Sequence, residues 1–150
     1  MTAGSSGRLK GIVVPPATAS LATPLARTEE EQAYLDVVLP LTEQLVGEGR
    51  LLAELGTERS RNVFELTVRA DRFEGVASQI AAYESAAGVP PGLARFSAAL
   101  HAGVDDADVA IDEAKAAFVR FDWDTVHAAV TAFEEAVDAI ASATTLLEPS

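Results

Sequence analysis

From Val126 onward the apolar residues fall at Val126, Val130, Phe133, Val137, Ile140 and Leu147, with Thr144 taking the one interrupted place. The spacing alternates four and three. That is the signature of one helix face packed along its whole length against other helices. Three earlier stretches carry the same signal. Tyr34, Val38, Leu41, Leu45, Leu52 and Leu55 form one stripe, with Glu48 where another apolar residue would be expected. Val63, Leu66, Ala70, Phe73, Ala77 and Ile80 form a second. Leu93, Phe96, Leu100, Val104, Ala107, Ile111, Ala114, Phe118 and Phe121 form a third.

Punctuation between the stripes sets the expected ends. Thr28 and Glu31 fit a capping box, and Glu29 and Glu30 suit the positive end of the helix dipole. Pro40 should kink this first helix, Gly47 and Gly49 should weaken its next turn, and Gly56 should stop it. The second helix is expected from Thr57 or Ser60 to Ala87, ahead of the break Gly88-Val89-Pro90-Pro91-Gly92. The third runs from Pro91 to Phe121. Asp122 then caps the last helix, with Trp123 folding back over the junction. A connection this short forces antiparallel neighbours.

Four such segments, each roughly 40 Å long at ~1.5 Å per residue, predict an all-α antiparallel four-helix bundle, the first helix kinked at Pro40. Ala107, Ala114, Ala129, Ala136 and Ala143 allow close backbone approach and argue against a wide internal cavity. Residues 1–27 lack a helical period and read as a Pro/Gly/Ser/Ala-rich flexible or docking arm ahead of a bundle over 28–150. Within the arm, Ile12-Val13-Val14 is too short, before Pro15-Pro16, to serve as the apolar segment of a secretory signal. No stretch approaches the length of a transmembrane helix.

Charge narrows the function. The arm carries three bases and no acid, whereas residues 28–150 carry all 23 acids against the remaining eight bases. That acidic body disfavours nucleic acid and anionic membrane surfaces as partners. Without cysteine there is no thiolate chemistry and no Cys-ligated metal.

The polar constellations are weak as chemistry. Asp124-x-x-His127 is a single imperfect copy of the pairing that di-metal bundles use twice, and reads as a capping turn. The run Asp105, Asp106, Asp108, Asp112 and Glu113 places Ala110 and Ile111 where a calcium loop needs oxygen and glycine, so it reads as a solvated face. Arg59, Arg61, Arg69 and Arg72 are expected to pair with neighbouring acids, with Glu65 to Arg69 one such pair. His101 and His127 lack a nucleophile motif, and His127 is expected to be partly buried. Glu48, Tyr34 and Tyr83 are the polar residues nearest the core stripes. A helix rotated by one position would bring Glu48 to the surface; buried, its carboxylate must be paired or protonated.

Glu29-Glu30-Glu31-Gln32-Ala33-Tyr34-Leu35 with Leu39-Pro40, and the tract from Val89-Pro90-Pro91 through Phe121-Asp122-Trp123-Asp124 to the Ala-rich last helix, resemble helical-bundle modules of secreted or lipid-anchored bacterial proteins. The resemblance spans roughly residues 28–148. It implies a helical fold and an extracytoplasmic setting, and it carries over no catalytic residue. The sequence thus points to a non-enzymatic structural or protein-interaction bundle without cofactor or metal. Self-association is expected through Leu9, Ile12, Val13 and Val14 of the arm, laid on the acidic body of a neighbour. The alternative is a small-ligand bundle with a pocket between helices near Pro40 and Glu48.

Overall fold

The computed structural model describes residues 27–57 and 63–147. Four α-helices make up most of it: α1 (Glu29–Thr57), α2 (Val63–Ala87), α3 (Ala94–Val119) and α4 (Trp123–Ala143). Short 3-10 turns at Pro91–Leu93 and Thr144–Leu147 precede α3 and follow α4. The described residues contain no strand, and the architecture is the expected all-α four-helix bundle. The chain divides into a unit ending at Glu30 and one running from Glu31 to Glu148; the bundle is the second. Leu9, Ile12, Val13 and Val14, like Arg59 and Arg61, lie outside the described residues.

Side-chain pairs fix the directions. Tyr34 of α1 meets Glu84 of α2, and Glu48 meets Arg69, so these helices are antiparallel. Gly49 faces Val137 and Gly56 faces Val130, so α4 is antiparallel to α1 as well. Along α3, Ser97 and His101 reach Glu84, Gly103 faces Ile140, and Phe118 stacks on Trp123. Each helix therefore touches two antiparallel neighbours, and α1 lies diagonal to α3.

The stripes become the core. Tyr34, Val38, Leu45, Phe73, Ile80, Phe96, Leu100, Val137 and Ile140 are all buried. Each large apolar side chain so placed contributes about 1.5–3 kcal/mol relative to exposure. Phe73 and Phe133 meet edge to face at 5.2 Å between centroids, the arrangement the ring quadrupoles favour. Helices α3 and α4 pack closely. A Cβ added at Gly103 would stand 2.6 Å from Ile140 Cγ1 and 3.4 Å from the Ala136 carbonyl, so only glycine permits this approach.

Several details depart from the sequence reading. Pro40 does lie inside α1, as expected, at an exposed position. Gly56 does not end α1; it lies inside the helix, buried against Val130. The break expected at Gly88 does end α2 at Ala87, and the Gly88 φ of 81° suits glycine. His127 is exposed rather than partly buried, because the buried face of its turn belongs to Val126 and Ala129. Phe121 leaves the core stripe altogether and is 74 % exposed. The junction before α4 is as expected. Asp122 accepts from the Thr125 N–H at 3.2 Å and from the Thr125 hydroxyl at 2.7 Å, and Trp123 folds onto Phe118.

Candidate functional site

The two ends of the bundle differ in chemistry. At one end the C-terminal part of α1, the start of α2, the second half of α3 and the start of α4 enclose a cavity of about 280 Å³. Leu52, Ala53 and Gly56 line it from α1, and Val63, Leu66, Thr67 and Ala70 from α2. Ala110, Ile111, Ala114, Lys115, Phe118 and Val119 contribute from α3, and Val126, Val130 and Phe133 from α4. The small residues that draw α3 and α4 together have the opposite effect here. Facing one another across four helices, Ala53, Gly56, Ala70, Ala110 and Ala114 leave space that larger side chains would fill. The expectation against a wide internal cavity is corrected at this end. Neither Pro40 nor Glu48 is among the lining residues.

The same end exposes an unusual share of apolar surface. Val63 is 54 % exposed, Phe64 78 %, Val119 80 % and Trp123 44 %. Phe118, which lines the cavity, stacks edge-on against Trp123 at 5.1 Å, and Trp123 in turn meets Phe121 at 6.1 Å. Phe121 holds φ at 56°, a left-handed conformation that disfavours any side chain. A strained backbone thus carries an exposed aromatic ring at this end, and such outliers gather at functional surfaces.

The opposite end is closed by a polar cluster. The Glu84 carboxylate, 9 % exposed, accepts from the Tyr34 hydroxyl and from Ser97 Oγ at 2.9 Å, and pairs with His101 Nε2. Burial alone raises the Glu84 pKa, but the hydrogen bonds from Tyr34, His101 and Ser97 together hold it below the usual carboxylate value. Burial first, and then the bond to Glu84, push the Tyr34 hydroxyl well up. Sequence reading singled out Tyr34 and His101 but missed Glu84 and Ser97. The signal was there, since the run Phe73, Ala77, Ile80 continues by one more step of four to Glu84.

The remaining polar candidates scatter. Glu48 is half-buried and faces Arg69 at 3.6 Å, a pair across helices rather than along α2. Asp108, expected on a solvated face, turns partly inward, and one of its carboxylate oxygens is buried without a hydrogen bond. Burial and the neighbouring Asp105 and Asp112 raise its pKa; burial raises that of Glu74 on α2, against the pull of Lys115. Asp124 and His127 stand exposed on the first turns of α4. Among the described residues no three His, Cys, Asp or Glu side chains are placed to share a metal ion, and no helix is long and apolar enough to cross a membrane.

Compared with known proteins, the chain matches no family model, no curated sequence and no solved structure.

Proposed function

We propose that this chain is a non-enzymatic bundle that holds a small apolar ligand in the cavity between Leu52, Ala70, Ile111 and Phe133. One observation carries the reading: all four helices turn apolar atoms toward one space of about 280 Å³. An engineered apolar cavity of about 150 Å³ stays dry and takes up benzene, so a space nearly twice as large suits a ligand of about eleven carbon atoms. Emptiness in a core destabilises, and a ligand that fills it recovers lost dispersion contacts. Titrating 1-decanol into the full chain should quench or shift Trp123 emission in a saturable, one-site manner. The variant Ala70→Leu/Ala114→Leu, which fills the space, should stay helical by circular dichroism and lose the response. An unchanged response in the filled variant would place the ligand elsewhere.

A second reading is favoured by the exposed Phe64, Val119, Phe121 and Trp123: this end meets a protein partner or a second copy. Light scattering separates the two. Self-association through this end should disappear in Phe64→Ser/Phe121→Ser, whereas association through Leu9, Ile12, Val13 and Val14 should disappear when residues 1–27 are deleted.

A further inference from the structure

We infer that the ligand of the cavity is an anionic amphiphile, a carboxylate carrying an apolar part of about eleven carbons, with its head group held at Lys115. The inference rests on the reading of the cavity as a ligand site and adds the sign of the ligand's charge. Of the described cavity-lining side chains only Thr67 and Lys115 are polar. The Thr67 hydroxyl is already spent, donating to the Val63 carbonyl at 2.9 Å. Among the described residues Lys115 is the one charged group on the wall, and the residue as a whole is exposed. A lysine in that setting lays its methylene stem along apolar surface and keeps its ammonium in water at the mouth.

A purely hydrocarbon ligand would have no use for that ammonium. A carboxylate leaving the mouth would meet a charge-assisted donor there, while its apolar part displaces no polar contact inside. The acidic body of the chain opposes an anion at long range, but in physiological salt exposed charges beyond about 8 Å are largely screened. One competitor is Glu74, on whose carboxyl the charge of Lys115 acts.

The test compares three probes of equal chain length, decanoate, 1-decanol and decyltrimethylammonium, on the full chain by Trp123 emission. Lys115→Gln should weaken decanoate about five-fold, leave decanol within two-fold and tighten the cationic probe. Lys115→Arg should restore decanoate, and Glu74→Gln should tighten decanoate by removing the competitor. If Lys115→Gln changes decanoate and decanol alike, or the cationic probe binds the native chain best, the head group is not an anion at Lys115, although the cavity reading survives. If no probe binds the native chain while the protein remains folded, the cavity reading and this inference fail together.

Discussion

Three donors converge on the carboxylate of Glu84, and that geometry sets predictions for single residues. Glu84→Ala strands Tyr34 and Ser97 at a buried place, removes the partner of the partly exposed His101, and should destabilise by about 3 kcal/mol, read as a lower Tm. Because the folded-state pKa of Glu84 lies below its ordinary value, the stabilisation is fully present above that ordinary value and is lost as pH falls through the folded one. The native chain should therefore lose stability on its acid limb more steeply than Glu84→Gln does. Asp108 has the opposite sign. Its folded-state pKa is raised, so ionisation at neutral pH works against the fold. Asp108→Asn should raise Tm near pH 7, and the gain should vanish below the ordinary aspartate pKa. Two glycines two residues apart on α1 should also respond oppositely. A Cβ at Gly49 would stand 2.7 Å from Val137 Cγ2, so Gly49→Ala should destabilise by about 1–3 kcal/mol. Nothing lies within 4 Å of a Cβ at Gly47, so Gly47→Ala should stabilise by up to about 1 kcal/mol.

At the scale of elements, periodicity told which face of each helix is buried, and little about how far apart the buried faces stand. The α4 stripe is the clearest case: Val126, Phe133, Val137 and Ile140 are all buried. The same rule misplaced Phe121, because the stripe it completes outlasts the helix by two residues. Helix α3 ends at Val119, and Phe121 enters the left-handed turn that hands the chain to Asp122. Glycine is the residue that turn favours. Phe121→Gly should raise stability by about 1 kcal/mol through relief of the backbone, unless the ring's contact with Trp123 offsets it. Calorimetry of that variant measures what the fold gives up to keep an aromatic side chain exposed there. Gly56 was misread for a related reason. A glycine near an expected helix end suits a cap, but the same residue suits close packing, and the proximity of Val130 decides for packing. Glu84 was hidden because a carboxylate on a core stripe looks like a stripe that has ended. Only the facing donors on α1 and α3 make its burial tolerable, and pairing across helices is not written in the spacing of any one of them.

For the whole molecule, the sequence made the bundle legible and left the cavity illegible. Alanine and glycine at a helix interface have two outcomes. Two helices can close on them, as α3 and α4 do around Gly103, or four helices held apart by larger neighbours can leave their methyl groups facing a void. Local pattern does not choose between these. Here Phe118, Phe133 and Leu52 line the same space as Ala53, Ala70, Ala110 and Ala114. Among the described residues, one end of the bundle is closed by a satisfied polar cluster and the other is open and apolar. A bound ligand should therefore stabilise the fold in proportion to the logarithm of its concentration, and it should act from the open end alone.

The most direct measurement is nuclear Overhauser contact between a bound alkyl probe and assigned methyl groups in the full chain. Contacts from decanoate to Leu52, Ile111 and Val130, with none to Ile80 or Leu100, are the predicted result. Contacts confined to the Glu84 end, or saturable binding with no contact to the three named methyl groups, would contradict it.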